Sequence, residues 1–207
     1  MAQSFVQSVS NVGQSGGLSA HTVNASSINL HGGPPVGQVT HQRQIQAVES
    51  LWQIVLNLGS EFSLAIFIDT ILLPQEIDAH LRGEEDISFM DAVAEYRDSQ
   101  LPLRKFANAG ANNAAKERPF VSHRLWSIYF VVQAVYGRTA LLLANSFKEG
   151  RFVNWREDGG CDQLLRAILP VQSVEHVKKL ETNGLRTALD LLEAQFLLEA
   201  GMNKPQA

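Results

Sequence analysis

The stretch Arg118-Pro119-Phe120-Val121-Ser122-His123 sets an arginine and a histidine apart by four residues. An imidazole can give or take a proton near neutral pH. A guanidinium can stabilise charge that develops on a phosphate oxygen. The pair therefore has the residue types that phosphodiester cleavage needs, and Arg118 and His123 are the catalytic candidates. The structural alternative makes His123 a first-turn residue of a helix and Arg118 a surface charge. Around them Arg104, Lys105, Lys116 and Arg124 form a local basic cluster, while Glu76, Asp78, Glu84, Glu85, Asp86, Asp91 and Glu95 form an acidic one upstream. A phosphate would be held only if the basic group shared one face. Otherwise the two clusters face each other between helices, across protomers, or remain solvated.

Two further charges stand out by their surroundings. Asp69 is the lone charge in LAIFIDTILL, and Arg138 the lone charge in a long apolar run. Burying either without a partner would be expensive, so Asp69 and Arg138 are expected to form a buried structural pair, or at least to be hydrogen-bonded inside the bundle. Glu76 and His80 lie one helical turn apart and could share a metal, but one pair makes no site, and no Glu-x-x-His occurs. No Walker-type glycine loop or Gly-x-Ser-x-Gly elbow is present. The single Cys161 excludes an internal disulfide framework and a cysteine-rich zinc site. No metal and no cofactor are expected.

The element that must position these residues is Ser122–Gly150. Leu125, Ile128, Tyr129, Val132, Val135, Tyr136, Leu142 and Leu143 recur at helical spacing. Ser122 is a suitable N-cap and Gly150 a suitable terminator. The opposite side is also apolar, with Phe130, Val131, Ala134 and Leu141, leaving Ser127, Arg138 and Asn145 as a thin polar seam. Such a helix belongs at the centre of a bundle or in a bilayer. A mid-bilayer arginine costs about 3 kcal/mol, so the central-helix reading is favoured. The remaining pattern from Thr40 is helical: a first helix bent or broken at Gly59-Ser60, an apolar one halted by Pro74, a Ser88/Asp91 capping box, and a small-residue surface at Ala107, Gly110, Ala111, Ala114 and Ala115. Arg151–Gly160 reads as a loop. Short helices follow on either side of Pro170, then an amphipathic one ending near Gly201. No convincing strand alternation follows Val39, and the domain over residues 40–201 is expected to be all-α, with 202–207 a tail.

In an all-α chain, the Arg118/His123 spacing resembles the ribonuclease motif of HEPN-type proteins. That resemblance implies RNA cleavage, with the arginine and histidine of two chains meeting across a dimer seam. Here Pro119 replaces the polar residue that commonly follows the arginine in that motif.

Residues 1–39 differ in kind, being rich in Ser, Gly, Asn and Gln and free of Asp, Glu, Lys and Arg. Within them LSAHT, VNASS and INLHG form a pentad repeat. Leu18 and Ala20, Val23 and Ala25, and Ile28 and Leu30 would each share one side of an extended chain. The pentads loosely resemble pentapeptide-repeat solenoids and the slender trimeric β-structures of fibres. Three short units leave an apolar stripe uncovered in one chain, so these six residues are expected to gather chains, a trimer being favoured, unless the segment is a disordered tail.

Charged residues make up 18% of the chain and its net charge is −4, which argues against wholesale disorder and against a globally basic nucleic-acid binder. The N-terminus has no basic region followed by an apolar core, so the expected location is cytoplasmic, away from membranes. The sequence thus points to a non-enzymatic oligomeric interaction or scaffold module whose helical domain binds a partner or ligand, with a HEPN-like ribonuclease as the alternative.

Overall fold

The computed structural model describes residues 36–202, with side chains described from Thr40. The pentad residues Leu18, Ala20, Val23, Ala25, Ile28 and Leu30 lie outside that range. The described residues 44–202 belong to one compact unit. Among the described residues every regular element is helical and there is no strand, so the expected all-α class holds for them.

Helix α1 (Val36–Glu61) keeps Ala47, Leu51, Val55 and Leu58 fully buried, one stripe at helical spacing. It turns by 58° into α2 (Ser63–Ile71). The bend falls at Phe62, beyond the expected break at Gly59. Gly59 stays within α1, where it lies against the Tyr136 hydroxyl. Pro74 opens α3 (Pro74–Leu81), where its missing N–H costs nothing. Helix α4 (Met90–Val93) continues as a 3₁₀ stretch, Ala94–Arg97. The expected Ser88 cap is not used, since the residue preceding the helix is Phe89 and makes no side-chain cap bond. After α5 (Leu101–Asn108), Gly110 adopts a left-handed φ of +82° and leads into a 3₁₀ stretch, Ala111–Phe120.

Helix α6 (His123–Glu149) is bounded as its chemistry requires. The Ser122 hydroxyl accepts from the Leu125 N–H at 3.0 Å, and Gly150 ends it with φ +65°. All eight stripe residues, Leu125 to Leu143, are buried, and each large one contributes roughly 1.5–3 kcal/mol. Helix α7 (Gly159–Arg166), α8 (Val171–Lys179) and α9 (Gly184–Glu199) complete the fold. The centre is α6, which packs against α2, α5, α7, α9 and both 3₁₀ stretches, while α9 closes onto α2 and α8. By length and composition α6 could cross a membrane, yet 56% of its most apolar window is buried inside the fold.

Three tyrosine hydroxyls are buried: among the described residues those of Tyr129 and Tyr136 have no hydrogen-bond partner, and that of Tyr96 faces the Ala65 backbone. Burial pushes Tyr129 up to about 12 and raises the other two as well. These rings serve as apolar filling, at some cost for the unmade bonds.

Candidate functional site

Asp69 lies on α2 with its side chain only 7% exposed, and its cation is Arg156, not Arg138. The Arg156 guanidinium donates to Oδ1 at 2.5 Å, and the Trp155 indole N–H donates to the same oxygen at 2.9 Å. The Leu185 backbone N–H donates to Oδ2 at 2.8 Å. Arg156 in turn donates to the carbonyls of Leu180 and Glu181 and lies 4.9 Å from the Trp155 ring centre. Each guanidinium nitrogen and both carboxylate oxygens thereby have a partner, which helps a buried pair persist. The arrangement ties α2, the loop after α6, the end of α8 and the start of α9 to one carboxylate. The cavity beside Asp69 is about 20 Å³, room for about one water and for no substrate. This is architecture.

The expected pairing of Asp69 with Arg138 fails because Arg138 points the other way around α6. Its guanidinium makes a two-pronged bond to Asp158, at 2.9 and 2.7 Å. Asp158 also caps α7, accepting from the Cys161 N–H at 2.7 Å. The Arg138 bonds and that N–H hold the Asp158 carboxyl down at about 2. Gly160 permits this approach, since a Cβ there would stand 3.0 Å from Arg138 Nε.

Arg138 borders an open, largely apolar groove of about 410 Å³ beside α6. Its floor is Ala134 and Gly137, with Phe130 and Leu141 at either end. Phe106 from α5 walls one side and Leu164 from α7 belongs to the lining. Phe106 lies so close that a Cβ on Gly137 would be 2.8 Å from its ring. Phe130 is 55% exposed and Leu141 47%, and Leu103 of α5 is exposed as well. The four α6 residues follow one another at intervals of four, three and four, the spacing of a helix-packing seam. The only charged residue in the lining is Arg138, already neutralised by Asp158. What the groove can do chemically is exclude water and hold an apolar surface.

Arg118 and His123 are both exposed, and no hydrogen bond or ion pair joins them among the described residues. Arg118 instead lies 5.9 Å from the Trp126 ring centre. Of the basic cluster, Arg104 pairs with Asp98, Lys105 with Glu95, and Arg124 with Glu199, so only Lys105 meets the upstream acidic group. Glu76 and His80 serve local structure. A Glu76 oxygen accepts from the Leu73 N–H at 2.7 Å, and His80 Nδ1 from the Ile87 N–H at 3.2 Å. No group of three or more metal-ligating side chains forms among the described residues. Cys161 is buried, and burial pushes its thiol up to about 12, far from nucleophilic.

Sequence reasoning missed Trp155, Arg156 and Asp158 by setting residues 151–160 aside as a loop. One signal was legible: Asp158 before Gly159-Gly160 and an apolar run is an N-cap pattern. Comparison of the chain with protein-family profiles, with curated proteins and with solved structures finds no match.

Proposed function

We propose that this chain is a non-enzymatic interaction module and that the groove over α6 is its binding face. The observation that carries the reading is the half-exposed Phe130 and Leu141 flanking a floor of Ala134 and Gly137 on the central helix. An apolar patch rimmed by satisfied polar groups is the usual mark of a contact surface. Covering one Phe or Leu there yields roughly 1.5–3 kcal/mol, and the neutralised Arg138 adds no unpaired charge to bury. The other polar clusters support the same conclusion, because Asp69, Arg156, Glu76, His80 and Asp158 are each engaged in holding the backbone. The pentad residues Leu18 to Leu30 would add a second means of gathering chains, as their uncharged stripe suggests.

The test is site-specific photo-crosslinking in the cell that makes the protein. A benzophenone side chain replaces Phe130 in one version and Val171 in another, two apolar positions of nearly equal exposure, 55% and 54%. Adducts are expected from position 130 and not from 171. Absence of any adduct at 130 overturns the reading. The HEPN-like alternative would be favoured instead by RNA cleavage that His123→Ala abolishes.

A further inference from the structure

We infer that Asn183 is a self-modification site: its side-chain amide is lost to the Gly184 backbone nitrogen when the start of α9 opens, and the product keeps that junction from closing as before. The inference concerns the junction at Asp69 and does not depend on the reading of the groove.

Asn-Gly occurs once in the chain, at 183–184, and the fold dictates both residues. Asn183 has φ +61° and ψ 10°, the left-handed region, and is the one non-glycine residue of positive φ among those described. Asparagine is among the few side chains that adopt this conformation readily. Gly184 has no room for a side chain, because a Cβ would stand 2.5 Å from the Val177 carbonyl oxygen. The pairing carries a chemical liability. Asparagine is thermolabile, and a following glycine has no Cβ to hinder attack by its own nitrogen.

The step is an intramolecular acyl transfer. The Gly184 nitrogen, giving up its proton, attacks the Asn183 side-chain carbonyl carbon. A C–N bond forms, the bond to the side-chain nitrogen breaks, and ammonia leaves with that proton. Water then opens the cyclic imide at either carbonyl, giving aspartate or isoaspartate with no change of oxidation state.

The folded geometry prevents the first bond. Ring closure needs the Gly184 nitrogen eclipsed with Cβ about the Cα–C bond of Asn183. At ψ 10° that nitrogen is eclipsed with Asn183's own nitrogen instead. Hydrogen bonds on both sides resist the rotation. The Asn183 N–H donates to the Asp69 carbonyl at 2.5 Å, and the Asn183 carbonyl accepts from the Thr187 N–H at 3.1 Å and hydroxyl at 2.8 Å. The Leu185 N–H is held by Asp69 Oδ2 at 2.8 Å. Attack therefore waits for local opening of this junction. Asn183 is exposed, so water reaches the imide once it forms. Isoaspartate carries the main chain through the former side chain, one carbon longer. The N–H groups of residues 183 and 185 then no longer match the carbonyl and carboxylate of Asp69.

The experiment incubates the full chain at physiological temperature and mildly basic pH, and peptide mapping follows isoaspartate and aspartate at position 183. The samples are the native chain and Asp69→Asn, each in buffer and in strong urea. Where opening is fast relative to attack, the rate follows the population of the open form. The native chain should be modified roughly 100-fold or more faster in urea than in buffer. Asp69→Asn should react roughly tenfold faster than the native chain in buffer and equally fast in urea. Should Asp69→Asn fail to fold, Thr187→Val, which removes one bond to the Asn183 carbonyl, should raise the rate in buffer about two- to tenfold. Chain modified at 183 in urea and refolded should melt below native chain refolded alike. Equal native rates in buffer and urea, a folded variant that reacts no faster than the native chain in buffer, or a modified chain that melts with the native one would each overturn the inference.

Discussion

Asp69–Arg156 and Arg138–Asp158 are both ion pairs between a helix and the loop that follows α6, but their surroundings differ. In the first, both side chains are about 90% buried or more, and the carboxylate accepts from three residues, the adjacent Trp155 and Arg156 and the distant Leu185. In the second, Arg138 is 39% exposed and lies along an open apolar groove. The same loop thus fastens the inside of the fold and neutralises the edge of its outer face. An ion pair held almost wholly away from solvent, with its oxygens accepting from the backbone and from an indole, holds architecture. One at the rim of an apolar surface leaves that surface free of uncompensated charge, which a partner can cover without desolvating a bare cation.

The contrast is broken most severely at the buried pair. Asp69→Ala strands Arg156 among carbonyls and removes the acceptor for Trp155 and Leu185. Chemical denaturation should show a loss of about 3–5 kcal/mol, and Asp69→Asn a smaller loss in the same direction. Gly184→Ala strikes the neighbouring junction. Its Cβ would meet the Val177 carbonyl oxygen at 2.5 Å and the Arg156 guanidinium at 3.1 Å, a backbone clash worth roughly 1–3 kcal/mol. A thermal melt that matches the native protein would refute that placement.

The rim pair should matter less. Hydrogen bonds from Arg138, reinforced by the Cys161 N–H, keep Asp158 at about 2, below its ordinary 3.8. A carboxylate lowered in this way contributes its stability in full above the unfolded value and loses it as pH falls through about 2. The contribution is about 1 kcal/mol once solvent screening at Arg138 is allowed for. Acid unfolding of Asp158→Asn should therefore be flatter between pH 4 and 2 than that of the native chain. Asp162, held at about 2 by Arg166 and Lys178, supplies a similar limb that the variant leaves in place. Tyr136→Phe removes a hydroxyl that has no partner, and a neutral result or a gain below about 1 kcal/mol is expected in the same denaturation assay. Smallest of all, Phe130→Glu should change the stability of the isolated chain by within about 0.5 kcal/mol, although it removes one of the two phenylalanines that line the groove.

Local chemistry was the legible part of the sequence. Ser122 and Gly150 mark the ends of α6 because capping depends on the residues at the ends themselves. The buried stripe from Leu125 to Leu143 follows from periodicity alone. Partnership over distance was not legible. Arg156 stands 87 residues from Asp69 and belongs to a loop, so matching one helical charge with another selected Arg138 instead. The groove was half visible. Phe130, Ala134 and Leu141 could be seen on the far side of α6, but whether they are covered depends on where α5 and α7 lie, which periodicity does not specify.

The most direct measurement compares thiol labelling of Phe130→Cys and Val171→Cys in intact cells with a membrane-permeable maleimide. The two positions are equally open on the single chain, and Cys161 is buried. If the face over α6 is the working surface, position 130 reacts several-fold more slowly than 171 in the cell, and the difference vanishes on dilution of the purified protein. Equal rates in both settings would contradict the account.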